Sequence, residues 1–115
     1  MEFMDFNEYQ KKAVETAIYP EKGTGSKLAL SYTALGLGNE AGECQGKVKK
    51  WLRGDSDLTK EKRLEILDEA SDVLWYLAAL VEELGFDLSV AADRNIAKLQ
   101  DRKERGVIKG NGDTR

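Results

Sequence analysis

The sequence predicts an all-α protein: an antiparallel helical bundle of about four helices in one domain, residues 1–115. Three observations carry this. Proline occurs once in 115 residues, while 34% of the chain is charged and 41% hydrophobic, a mixture suited to amphipathic helices. No segment alternates convincingly at period two, as strands would. Apolar residues instead recur at helical spacings, in Leu30, Ala34, Leu37, Ala41, Cys44 and Val48, and again in Ile66, Val73, Leu77, Leu80 and Leu84. Both sets are expected to be core stripes.

Each element has its own boundary signals. The first helix begins near Asp5, where "DFNE" has the shape of a capping box, and ends before Pro20. "EKGTGSK" is a loop. The second helix runs from about Ser26 to Gly54, a glycine suited to a left-handed stop. Asp57 or Thr59 caps the third, which ends at Gly85. Asp87 caps the fourth, which runs to about Gly106 and leaves a turn-rich tail, "VIKGNGDTR". A helical core of this length leaves apolar surface exposed, so subunits are expected to complete the bundle as a homodimer or homotetramer.

Composition excludes several chemistries. There is no histidine, which removes Ser-His-Asp and Cys-His catalysis and histidine-based zinc or di-iron sites. The single Cys44 allows no intrachain disulfide and suits a reducing compartment. No apolar run is long enough to span a membrane, and no signal peptide opens the chain, so cytoplasm is the expectation. A net charge of −3 argues against nucleic acid as a partner. The charge is unevenly spread: residues 55–93 hold 3 basic and 11 acidic side chains, residues 94–115 hold 7 and 3. An acidic middle and a basic end could serve one polyanion through a metal.

The acids have a pattern. Glu40 and Glu43 stand three apart in "LGLGNEAGECQGKVKKW", on one helix face. Glu69 and Asp72 repeat the spacing in "EILDEASD", where Glu65 and Asp68 lie close by. If the two helices pack antiparallel, both pairs converge. Four carboxylates that close would not all stay ionised alone, and a hard divalent cation relieves the repulsion. Oxygen donors without histidine or thiolate suit Mg²⁺ or Mn²⁺. Gly36, Gly42 and Gly46 lie near the acid face, where the lack of side chains would let a helix or substrate approach. The plainer alternative is a solvated acidic face.

"YTALGLGNEAGECQGKVKKWLRG", then "EILDEASDVLWYLAALVEELG", then "NIAKLQDRKERG" and a closing "GNGDTR" resemble the MazG-type nucleotide pyrophosphohydrolases of the all-α NTP pyrophosphatase superfamily, over residues 6–115. Ser71 departs from the glycine common in the family's "ELGD", but a small residue remains. The resemblance implies Mg²⁺-dependent conversion of nucleoside triphosphates to monophosphate and pyrophosphate by a helical dimer or tetramer. It implies Glu40, Glu43, Glu69 and Asp72 as metal ligands, one of them or a neighbouring acid activating water.

Asn95, Lys98 and Arg102 match the family's "NxxKLxxR" and share one face of the fourth helix. The resemblance makes the two cations phosphate contacts and Asn95 a polar contact; the alternative is a solvated or ion-paired basic face. Lys47 and Lys50 follow Glu43 on its face, where Lys50 is a candidate phosphate contact or a cation at a helix end. Trp75 lies one turn past Asp72, and Tyr32 two turns before Glu40; each could border a base pocket, though aromatics so placed are more often core. Asp113 and Arg115 match a terminal "GDxR" that would close over a site, in its own or a neighbouring subunit.

The expected activity is nucleotide-pool control or house-cleaning, leaning towards purine deoxynucleotides such as dGTP. The alternatives are a noncatalytic helical oligomerisation module and a nucleotide-binding regulator without turnover.

Overall fold

In a computed structural model, which describes residues 3–113 and 115, the chain forms four α-helices: α1 (Phe6–Glu15), α2 (Lys27–Leu52), α3 (Lys60–Glu83) and α4 (Leu88–Glu104). No strand occurs among the described residues. The caps explain the starts. The Asp5 carboxylate accepts from the Glu8 N–H at 2.8 Å, Ser26 Oγ from the Ala29 N–H at 3.2 Å, and Thr59 Oγ1 from the Lys62 N–H at 3.2 Å. Thr59, not Asp57, is the cap of α3. Gly54 takes φ +91 just past the end of α2, as a left-handed stop requires.

Helix α1 ends at Glu15, ahead of Pro20 as expected, its last turn tightening to i→i−3 bonds from the Thr16 and Ala17 N–H groups to the Ala13 and Val14 carbonyls at 3.0 and 3.1 Å. The residues between there and Pro20 leave the helix and bury Ala17 and Tyr19. Asp87 sits at the N-cap of α4 but makes no side-chain capping bond. Helix α1 supplies the acceptors instead: Gln10 Oε1 takes the Leu88 N–H at 2.8 Å and Asn7 Oδ1 the Ser89 N–H at 3.0 Å. Gln10 is 3% exposed and also donates to the Phe86 carbonyl at 3.0 Å, so one buried amide ties α1 to the α3–α4 turn.

Helices α2 and α3 form a long antiparallel hairpin. Among the described residues α2 packs on α3 alone, while α1 packs on α3 and α4. Four helices are present, but within one chain they do not close into a bundle. The accessible surface, 8563 Å², compares with about 6,300 Å² for a typical folded monomer of this mass. The radius of gyration is 16.8 Å, against about 13 Å for a compact chain of this length.

The core lies where α1 and the segment after it meet α3. Ala13, Ala17, Tyr19, Ala29, Ala78, Ala79, Val81 and Leu88 are buried there. The expected stripes are less buried than the spacing implies. Ala34, Leu77 and Leu84 are exposed, and the other stripe residues, Cys44 included, are half-buried. The physical reason is that α2 has one helical neighbour, and the face of α3 turned away from α2 is covered only near its C-terminal end. Glu83 is buried too: its carboxylate accepts from the Tyr19 hydroxyl and from the Gly23 and Gly25 N–H groups at 2.8 and 2.9 Å, anchoring the loop before α2.

Candidate metal and phosphate site

The hairpin brings three of the four candidate carboxylates together. Glu40, Glu43 and Glu69 each offer an oxygen, and these lie within 4.8 Å of one another. An octahedral hard cation with oxygens at about 2.1 Å needs neighbouring donors about 3 Å apart and opposite donors about 4 Å apart. Small side-chain rotations would satisfy that, so the residues fit Mg²⁺ or Mn²⁺. Asp72 is exposed and stands outside the trio, though its charge is felt there. Partial burial first, then the charges of Glu43, Asp72 and Glu69, hold the Glu40 carboxyl above its ordinary range. This is the repulsion that a bound cation would remove.

Glycine 36 has a specific neighbour. A Cβ there would stand 2.1 Å from the Tyr76 ring, so Gly36 makes room for that tyrosine, not for a substrate. No atom lies within 4 Å of a Cβ at Gly38, Gly42 or Gly46, so nothing within the chain requires glycine there. The Ser71 hydroxyl donates to its own helix, to the Asp68 carbonyl at 2.6 Å, and does not disturb the acid cluster.

Tyrosines flank the acids. Burial and then the Asp72 charge raise the Tyr9 phenol; burial, then Tyr32, Glu40 and Asp72 raise that of Tyr76. Both stay protonated and able to donate at neutral pH. Trp75 has a structural place: its indole N–H donates to Thr16 Oγ1 at 2.9 Å, and its ring packs with both core clusters. The exposed Tyr32 stacks on Tyr19, ring centroids 5.5 Å apart.

The basic candidates fall in two places. Lys50 lines a 220 Å³ pocket at the α2–α3 turn, beside Lys47, Lys62, Glu65 and Asp55. Asn95 and Lys98 line a 920 Å³ cleft between α3 and α4, with apolar walls from Leu84, Phe86 and Val90. Arg102, further along α4, is 4% exposed. Asp113 joins the two cations: one of its oxygens lies 3.2 Å from Lys98 Nζ and 3.0 Å from an Arg102 terminal nitrogen. Arg102 and then Lys98 hold the Asp113 carboxyl below the usual carboxylate range. Arg115 is occupied by the tail itself, donating to the carbonyls of Val107, Ile108 and Gly112.

Sequence reasoning missed the roles of Glu83, Gln10 and Asn7. Each acts across at least 58 residues of chain, and no local spacing signals that. No helix among the described residues is long and apolar enough to cross a membrane.

The chain is similar to known proteins in sequence. The family model of the MazG nucleotide pyrophosphohydrolase domain matches residues 30–107, which takes in nearly all of α2 and the whole of α3 and α4 and omits α1. The Gene 37 protein of Mycobacterium phage L5 is 49% identical over 109 residues, covering 93% of this chain and 96% of that protein. No solved structure matches the chain.

Proposed function

Since the chain belongs to the MazG nucleotide pyrophosphohydrolase family, we propose that it is a Mg²⁺-dependent enzyme, with Mn²⁺ able to substitute, that converts nucleoside triphosphates to monophosphate and pyrophosphate. The observation that carries this is the convergence of Glu40, Glu43 and Glu69 from two helices. These three would hold the cation. Once bound, it supplies charge neutralisation at phosphate and a water of lowered pKa. Asp72, whose charge is felt at Glu40, would complete the acid set as a fourth ligand, and one of the four or a neighbouring acid would take a proton from water attacking the α-phosphorus. Lys98 and Arg102 would bind phosphate oxygens, with Asn95 as a polar contact. Lys50 would meet phosphate at the turn. No covalent nucleophile is required.

The substrate preference we propose is for purine deoxynucleotides such as dGTP, in nucleotide-pool control within the cytoplasm. The exposed face of Tyr32, backed by Tyr19, supports it, because a purine gains more than a pyrimidine from an aromatic face. The large accessible surface and the half-buried stripes of α2 and α3 support a homodimer or homotetramer. Neither nucleic acid nor membrane enters this reading.

The test is substitution at the acids. Glu43→Gln and Asp72→Asn should lower hydrolysis by orders of magnitude while circular dichroism and melting show a folded protein. A noncatalytic assembly module would tolerate both, and unchanged turnover would remove the proposal.

A further inference from the structure

The C-terminal tail folds back on the basic face of α4. Gly110 and Gly112 take φ +147 and +78, and Arg115 crosses close enough to Gly110 that a Cβ there would stand 2.9 Å from its side chain. Arg115 is stapled to three tail carbonyls, and Arg105 donates to the Arg115 carbonyl at 2.6 Å. This local framework delivers Asp113 to Lys98 and Arg102. Asp113 itself is 79% exposed, yet it accepts from a guanidinium that is 4% exposed. Arg102 Nε has no hydrogen-bond partner among the described residues. A buried guanidinium needs an anion, and the tail supplies one carboxylate to two cations. The pair is thus left with one positive charge and a buried N–H unsatisfied. A phosphate oxygen offers more charge and more acceptors than a carboxylate.

We propose that Asp113 is an internal competitor: its carboxylate occupies the place of a substrate phosphate on Lys98 and Arg102, and a polyphosphate displaces the tail to bind there. The inference rests on the reading of Lys98 and Arg102 as phosphate contacts. An intramolecular competitor weakens every anion that uses this pair by one common factor, whatever the rest of the ligand. Displacement also frees residues 107–113 from α4.

The probe is inorganic tripolyphosphate, titrated calorimetrically into the full-length protein without divalent metal, so that neither hydrolysis nor the acid cluster affects the result. Asp113→Asn keeps the shape and removes the charge. It should tighten tripolyphosphate binding by about fivefold, the scale of an exposed ion pair, and tighten a nucleoside monophosphate by the same factor. Asp101→Asn removes an equal charge from α4, where Asp101 pairs with Arg105, and controls for general electrostatics; it should tighten binding less. Limited trypsin digestion should cut after Lys109 faster when tripolyphosphate saturates the wild type, because the tail is then released from α4. A chain ending at Lys109 should bind as Asp113→Asn does. Weaker binding by Asp113→Asn would make Asp113 a positioning residue and overturn the proposal, as would equal effects of the two substitutions, no binding at all, or a tail still protected at saturation. Hydrolysis that proceeds while Asp113→Asn weakens binding would sink this inference alone. Tightening without any hydrolysis would sink the enzymatic reading alone.

Discussion

Replacing Gly36 by alanine tests the packing of the hairpin at the point nearest its acids. The added Cβ would lie 2.1, 2.4 and 2.6 Å from three carbons of the Tyr76 ring, where ordinary contact is 3.4–4 Å. The ring would have to move by more than 1 Å, and it is packed edge-on against Trp75 at 4.9 Å between centroids. A clash this deep against a packed ring belongs in the upper part of the overpacking range, about 2–3 kcal/mol. Alanine returns about 1 kcal/mol of helix propensity relative to glycine. The net expectation is a loss of about 1–2 kcal/mol, which at this chain length lowers Tm by roughly 4–10 °C. Gly42→Ala is the control, since no atom lies within 4 Å of its Cβ; in a dilute, monomeric sample it should gain about 0.5–1 kcal/mol. Urea denaturation of both, and of Gly36→Ala combined with Tyr76→Ala, gives the coupling directly. The double substitution should cost less than the sum of its parts. A Gly36→Ala protein as stable as the wild type, or additive effects, would refute the Tyr76 contact.

Further outcomes follow from the buried polar groups and the acid cluster. Gln10→Ala removes the partner of the Leu88 N–H and the Phe86 carbonyl, and should cost about 2–4 kcal/mol by chemical denaturation, because both groups lose a buried bond. Burial alone would raise the Glu83 carboxyl, but the bonds from Tyr19, Gly23 and Gly25 outweigh it and hold the group below its ordinary value. A depressed carboxyl contributes stability above its unfolded pKa and loses it as pH falls through the folded one. Glu83→Gln should therefore flatten the fall of Tm below about pH 4.5, and a slope equal to the wild type's would contradict the assignment. Mg²⁺ at about 100 times its dissociation constant should stabilise the fold by about 2.7 kcal/mol, and Glu69→Gln should abolish that increment in a thermal melt.

Much of the framework was legible in local signals, because caps and i, i+3 spacings act within one helix turn. Asp5, Ser26 and Thr59 cap as their residue types predict. Glu40, Glu43 and Glu69 meet because a short turn forces α2 and α3 antiparallel. What the spacing could not show was which face is covered. Helix α1 shields α3 near Ala78, Ala79 and Val81, so alanines form the core while Leu77 and Leu84 face outward. Trp75 goes to Thr16 and Asp87 yields its capping role to Gln10 and Asn7 for the same reason. Those partners belong to an N-terminal helix whose docking site is set by tertiary contacts alone.

Product analysis decides whether this chain hydrolyses nucleoside triphosphates between the α- and β-phosphates. Purified protein is incubated with each canonical nucleoside and deoxynucleoside triphosphate, with Mg²⁺ or with EDTA, and the products are separated by anion-exchange chromatography. The expected products are monophosphate and pyrophosphate in equal amounts, with dGTP among the best substrates and no turnover in EDTA. Diphosphate and orthophosphate, or no turnover of any triphosphate by folded, metal-loaded protein, would contradict this expectation.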